Sequence, residues 1–263
     1  MGDLPGIIAE DAKRRGFRVV AIALEPVADP GALEPVADVV ERISVGKLGK
    51  IFDALKKHGV KEAVMAGKVP KGLIYKNRVT PDMRAIKLLW ELKNRNDDTI
   101  LLALTRELEK EGVKLLETTS FCGEILAPEG VLTRKQKPSK GQRKDIEYGF
   151  RMAKEMGRLD VGQTVVVKGM AVMAVEAIEG TDEAIRRGGR LAGGGAVVVK
   201  TAKPAQDMRF DVPAVGPSTL AAMIETEAAV LAVEAGKTIF IEKEKVLKEA
   251  DHAGIAVVGC RFE

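Results

Sequence analysis

The chain has 263 residues, 46% of them hydrophobic and 30% charged, and carries a formal net charge of +4. That length accommodates one large domain or two of roughly 100–200 residues each, with a core that needs no disulfide or metal staple. The composition excludes a disordered chain, and so small a charge, with no basic tract interleaved with aromatics, excludes a nucleic-acid-binding class.

The opening, "MGDLPGIIAEDAKRRG" (1–16), starts on a turn and a helix. An open α/β fold normally starts on a strand that feeds such a turn, so the expectation is a fold beginning with a helix or a strand lying before Met1. "RVVAIAL" (18–24) reads as a buried strand, "GKIFDALKKHG" (49–59) as a helix stopped by Gly59, and "KEAVMAG" (61–67) as the next strand. "PDMRAIKLLWELK" (81–93) repeats apolar residues at i, i+3, i+4, and "DDTILLALTRELEKEG" (97–112) has Asp at its start and Gly at its end, so both read as helices. Such alternation implies a parallel sheet covered by helices.

From about 127 to 144 the chain is rich in Lys, Gly, Pro and Ser, and "RKQKPSKGQRK" (134–144) reads as a solvated linker, with an anionic surface or a phosphate as the alternative. The helix "RKDIEYGFRMAKEMG" (143–157) follows. "QTVVVKG" and "MAVMAVEA", split by Gly169, suggest a hairpin. "GGAVVVKTA", "AAVLAVEAG", "KTIFIE" and "GIAVVG" are further strands, and "PSTLAAMIETE" and "KEKVLKEADHAG" further helices. The expected organisation is α/β in two domains: a Rossmann-like N-terminal domain over 1–130 with its first strand missing, a linker over 131–145, and a C-terminal α/β domain over 146–263 with a mixed sheet and helices.

Cys122 and Cys260 lie far apart in apolar settings without metal-ligand spacing, as expected of reduced core thiols. His58 and His252 sit near helix ends, which leaves little material for Ser-His-Asp or Cys-His chemistry. No apolar run approaches the ~20 residues of a membrane span, and no signal peptide is recognised, so a cytoplasmic protein is expected, at most peripheral on a membrane.

The acidic and basic residues between the later strands carry the chemistry. In "EGTDEAIRRGG" (179–189), Thr181 or Asp182 can cap a helix whose first amides favour an anion, with Arg186 and Arg187 one turn on. The alternative is an ordinary capped helix with a charged face. In "KPAQDMRFDVPAVGPST" (203–219), an extended chain would place Asp207, Arg209 and Asp211 on one side, Pro204 and Pro213 stiffening it. Two carboxylates flanking an arginine can share a divalent cation while the guanidinium holds a phosphate. The alternative is a salt-bridged edge strand. "GGGAVVVK" (193–200) lacks the spacing of a P-loop. These residues together point to a metal-assisted phosphate site in the second domain, without naming the substrate.

At "LDVGQTVVVKGMAVMAVEAIEGTDEAIRR" (159–187) and "GGGAVVVKTAKPAQDMRFDVPAVGPST" (193–219) the chain resembles the bacterial UDP-2,3-diacylglucosamine pyrophosphatases of the metal-dependent, non-calcineurin-like type, once a domain of unknown function. The resemblance runs through "AIALEP", "GKLGK", "AVMAGKV", "NRNDDTILLAL", "LAPEGVLT" and "AVEAG", covering nearly the whole chain in order. It implies hydrolysis of the substrate's pyrophosphate to UMP and 2,3-diacylglucosamine 1-phosphate (lipid X) in lipid A biosynthesis, with magnesium (Mg2+) as cofactor and the substrate held between two α/β domains. Peripheral contact with the inner membrane and a homodimer are the accompanying expectations. Carried onto this sequence, Asp211 and Asp207 hold the metal or activate the water, with Glu179 and Asp182 as further metal ligands. Arg209, Lys203 and Arg187 neutralise phosphate oxygens, Gln163 and Gln206 are neutral hydrogen-bond partners, and Thr181 donates to a phosphate oxygen. Which acid does which job stays open. Ordinary loop packing is the leading reading of Leu73, Ile74 and Tyr75, with contact to the acyl chains as the alternative. The competing expectation is a non-catalytic UDP-sugar or lipid-binding protein of the same fold; a dinucleotide-dependent oxidoreductase is disfavoured because no GxGxxG follows a strand.

Overall fold

The structure, a computed structural model, describes residues 4–67, 69, 80–90, 92 and 97–261. It divides into two compact units, Met1–Cys122 and Gly123–Glu263.

The first unit contains α1 (Leu4–Arg14), β1 (Val20–Glu25), α2 (Pro30–Leu33), β2 (Val39–Ser44), α3 (Leu48–Lys57), β3 (Glu62–Ala63), α4 (Met83–Trp90), α5 (Asp97–Lys110) and β4 (Lys114–Leu115). Among the described residues β1 pairs only with β2 and β3 only with β4, both parallel. The expected strand over 18–24 is present, but only Ala23 of β1 is fully buried. "KEAVMAG" contributes only two paired residues; past them a side chain takes over from the ladder, as Thr118 Oγ1 donates to Met65 O at 3.0 Å. Asp82 joins two helices, accepting Ala85 N–H at the start of α4 and Gly49 N–H at the start of α3. The Arg84 guanidinium stacks 3.9 Å over Phe52 and donates to Glu107 and Glu111, which ties α3, α4 and α5 together. Leu73, Ile74 and Tyr75 lie outside the described residues.

The second unit contains β5 (Gly130–Val131), α6 (Lys140–Arg158), β6 (Thr164–Lys168), β7 (Ala171–Val175), α7 (Thr181–Ala192), β8 (Val197–Lys200), β9 (Ala214–Val215), α8 (Pro217–Glu225), β10 (Val230–Glu234), β11 (Ile239–Phe240), α9 (Lys243–His252) and β12 (Ala256–Cys260). Six strands form one mixed sheet in the order β5-β12-β10-β8-β6-β7, parallel through β8, β10 and β12 and antiparallel elsewhere; β9 and β11 make a separate parallel pair.

Alternation along the central strands explains the layers. Val166, Val198, Leu231 and Val257 pack with Ile185 of α7, Leu220 and Met223 of α8 and Val246 of α9. Their neighbours Val197, Val199, Ala232 and Val258 point the other way, onto Ile146 and Phe150 of α6. The strands are buried on both faces, so they read as unbroken apolar runs. The helices approach closely: a Cβ on Gly188 of α7 would lie 2.6 Å from Val166 Cβ.

The expected hairpin is present. Gly169 and Met170 both have positive φ, and Asp145 accepts the N–H of each, so the turn is pinned to α6. The segment 131–145 belongs to the second unit. Val131 pairs with Val258, and Asp251 accepts the N–H groups of Arg134, Lys135 and Gln136. A capping box of Ser139 and Gln142 then starts α6 at Lys140, within the stretch expected to be linker. Both cysteines are buried, and burial pushes their thiols up to about 11.

Candidate functional site

In open α/β sheets ligands bind beyond the carboxyl ends of parallel strands. In the second unit β7 and β8 both run antiparallel to β6, so their carboxyl ends share one edge of the sheet. The loops leaving them, and the first turns of α7 and α8, carry nearly all the acidic and basic residues singled out in the sequence.

Register builds the centre of this edge. Lys200 ends β8 opposite Thr164, and Thr164 O accepts the N–H of Glu176 just beyond β7. Lys200 follows Val198 by two positions, so alternation turns it toward the layer of α7. Its Nζ donates to Thr181 Oγ1 at 2.9 Å, and Thr181 Oγ1 donates to Glu176 Oε1 at 2.8 Å. Lys200 is only 6% exposed. Burial pulls its pKa down, and the carboxylates of Glu176, Asp182 and Asp211 oppose that pull. Glu176 Oε2 is buried with no hydrogen-bond partner among the described residues. Glycine is required beneath: a Cβ on Gly162 would lie 2.0 Å from Glu176 O.

Helix α7 is not side-chain capped as expected. Its N-cap is Gly180, at φ 85°, and the Thr181 hydroxyl is used between Lys200 and Glu176 instead. Asp182 Oδ1 accepts from Thr219 Oγ1 at 3.3 Å. Arg186 bridges Glu183 of its own helix and Glu225 of α8, which joins the helices rather than cradling a phosphate.

The segment 207–211 is a turn, not an extended strand: the N–H groups of Phe210 and Asp211 both donate to Asp207 O. The expected alternation of Asp207, Arg209 and Asp211 is therefore absent, because a local hydrogen-bonded turn displaces the ladder. Asp207 and Arg209 form a two-pronged pair, Arg209 Nε at 2.9 Å and Nη2 at 2.7 Å, and this guanidinium holds the Asp207 carboxyl below its ordinary range. Asp211 turns elsewhere. Its Oδ2 accepts from Gln206 Nε2 at 2.7 Å, while Gln206 Oε1 accepts from Lys203 N–H, also at 2.7 Å. Lys203 Nζ donates to Asp160 at 2.6 Å.

Of the sequence-predicted residues, then, Thr181, Asp182 and Asp211 gather around Lys200, and Gln206 and the Lys203 backbone support Asp211. Arg187 donates to Val175 O and to Glu179, which lowers the Glu179 carboxyl and fixes the loop after β7. Gln163 accepts Thr201 N–H through its backbone carbonyl, and its Oε1 is buried without a partner among the described residues. Lys200 and Glu176 were not assigned roles from the sequence. The available signal was the single charged residue closing the buried run "AVVVK".

Magnesium takes oxygen ligands and is commonly held by one or two carboxylates together with substrate phosphates and water. Among the described residues no three His, Cys, Asp or Glu side chains converge as a metal cage. Asp207 and Glu179 are each engaged by a guanidinium. Asp182 and Asp211 each keep one oxygen outside the hydrogen bonds described, and the orphaned Glu176 oxygen lies on the same edge. This donor set fits a cation that shares its shell with phosphate oxygens, not one enclosed by protein alone.

Residues 1–125 match the family model described as the LpxI N-terminal domain, and residues 128–258 match the LpxI C-terminal domain. The chain is 34% identical over 270 aligned positions, 98% of its length and 94% of the relative's, to the UDP-2,3-diacylglucosamine pyrophosphatase LpxI of Caulobacter vibrioides. With both domain models matched in order and nearly the whole chain aligned, this protein belongs to the LpxI family.

Proposed function

We propose that the chain hydrolyses the pyrophosphate bond of UDP-2,3-diacylglucosamine to UMP and 2,3-diacylglucosamine 1-phosphate, a step in lipid A biosynthesis. The observation that carries the reading is the alignment of 98% of the chain with the pyrophosphatase of Caulobacter vibrioides. The arrangement after β7 and β8 supports it, since cations, carboxylates and hydroxyls meet at a sheet edge suited to an anionic ligand.

The contacts support the following roles. Asp182 and Asp211 would hold magnesium, which would offset phosphate charge and make a coordinated water more acidic. Gln206 orients Asp211 through its 2.7 Å bond. Asp207 aims the Arg209 guanidinium, and Arg209 and Lys203 neutralise phosphate oxygens as charge builds. Arg187 and Glu179 shape the loop that carries Glu176. Among the described residues no helix is long and apolar enough to cross a membrane, and in this reading the acylated substrate is met at the inner-membrane surface.

The test is release of UMP from UDP-2,3-diacylglucosamine by the purified chain with magnesium chloride, followed by phosphorus NMR. Stoichiometric UMP and lipid X are expected. Tight binding of the substrate without UMP would replace this reading with a non-catalytic binding protein.

A further inference from the structure

Lys200 is the one polar residue of β8 and lies in the interior of the unit. An ammonium carries three N–H donors. Thr181 Oγ1 accepts one, and no other described residue accepts either of the remaining two. The nearby carboxylates are engaged elsewhere: Glu176 Oε1 by Thr181, Asp182 Oδ1 by Thr219 and Asp211 Oδ2 by Gln206. They act on Lys200 through space, without a direct ion pair among the described residues.

Buried polar groups are paired almost without exception in folded proteins, and an underbonded buried cation is costlier than a neutral group. Two unspent donors on such a cation leave room for acceptors from outside the chain, water in the free protein and an anionic ligand in a complex. Lys200 stands at the carboxyl end of a central parallel strand, and an ammonium is a compact point charge suited to phosphate oxygens. The three facing carboxylates keep an anion from binding Lys200 alone, so the acceptor arrives with a compensating cation, as a magnesium diphosphate does.

We propose that Lys200 is a substrate-contacting residue whose two free N–H groups bond non-bridging oxygens of the diphosphate. The identity of the anion rests on the hydrolase reading, and the contact rests on the donor count and the burial.

The probe is inorganic pyrophosphate with magnesium chloride, titrated by calorimetry into the wild-type chain and Lys200→Met. Removing the ammonium should weaken binding at least tenfold and slow UMP release at least a hundredfold. The wild-type chain gives a readout that needs no fragile variant. In protein labelled with 15N-lysine, the Lys200 ammonium signal, assigned by its loss in Lys200→Arg, should shift on saturation with pyrophosphate. An unshifted signal, or pyrophosphate affinity and UMP release unchanged in Lys200→Met, overturns the proposal and leaves the hydrolase reading in place. A shifted signal in a chain that releases no UMP does the reverse.

Discussion

Lys154 Nζ stands 2.6 Å from Glu234 Oε2, and the pair holds Ala202 by both backbone groups: Glu234 accepts its N–H at 2.8 Å and Lys154 donates to its carbonyl at 2.9 Å. Ala202 lies between Lys200, which ends β8, and Lys203, where the loop to Asp211 begins. One partly buried ion pair from α6 and β10 thus sets the direction in which the proposed site loop leaves the sheet.

Glu234 is 6% exposed. Burial raises its pKa, but Lys154, Lys237 and the Ala202 N–H outweigh that and leave it below the ordinary range. A carboxyl whose folded pKa is depressed contributes stability that is present above the unfolded value and lost as pH falls through the folded one. Glu234→Gln should therefore cost about 1–3 kcal/mol at neutral pH, typical of losing charge-assisted hydrogen bonds, and flatten the acid side of the stability profile. Urea unfolding of both proteins between pH 7 and pH 3 measures this; parallel profiles would show that the pair is not the anchor described.

Gly188 supplies a packing prediction. An added methyl must enter the space of Val166, so Gly188→Ala should destabilise by about 1–3 kcal/mol. Adding Val166→Ala should recover part of the loss, because the two changes share one contact. Thermal unfolding of the two single variants and the double variant gives the coupling. Additive losses would mean that α7 shifts to accommodate the methyl.

Much of this architecture was legible in the sequence. The valine runs of β6 and β8 and the apolar runs of β10 and β12 are buried on both faces, and Gly169 divides the hairpin where the pattern breaks. The site was legible as a neighbourhood more than as contacts. Asp211, Asp182 and Thr181 were visible as polar residues between strands, but period-2 alternation failed at 207–211, where Asp207 O closes a turn that no side-chain pattern announces. Lys200 escaped notice because a charged residue at the end of an apolar run reads as solvated, and only the pairing of β8 with β6 and β10 buries it. The strap over 131–145 looked like a linker because Asp251, the residue that holds it, is more than a hundred positions away.

Thr181 separates hydroxyl chemistry from bulk. Valine matches its shape but leaves Lys200 Nζ and Glu176 Oε1 without their shared partner, while serine keeps the oxygen. Thr181→Val should lose at least tenfold in kcat and about 1–3 kcal/mol of stability, as expected when buried polar groups lose a partner. Thr181→Ser should stay within about threefold of wild type. Steady-state UMP release distinguishes them. Loss in Thr181→Ser with Thr181→Val near wild type would place the effect on the methyl group and remove the Lys200–Thr181–Glu176 chain from the chemistry.

Asp211 and Asp207 separate two jobs that their spacing suggested were one. Asp207 is committed to Arg209 through two short bonds, so its carboxylate acts through that guanidinium. Among the described residues Asp211 is held by a neutral amide on one oxygen, and the proposal gives the other to a cation or a water proton. Asp211→Asn keeps the size and the Gln206 contact but removes the charge, and kcat should fall about 10²–10⁴-fold, the range for losing a proton acceptor or a metal ligand. Asp207→Asn loosens Arg209 and should show mainly as a raised KM for UDP-2,3-diacylglucosamine. EDTA should abolish UMP release by the wild-type chain, with magnesium chloride restoring it, and Asp211→Asn should need more magnesium for half-maximal rate than Asp207→Asn. If both variants lost kcat equally at every magnesium concentration, the two aspartates would share one role despite their separate partners.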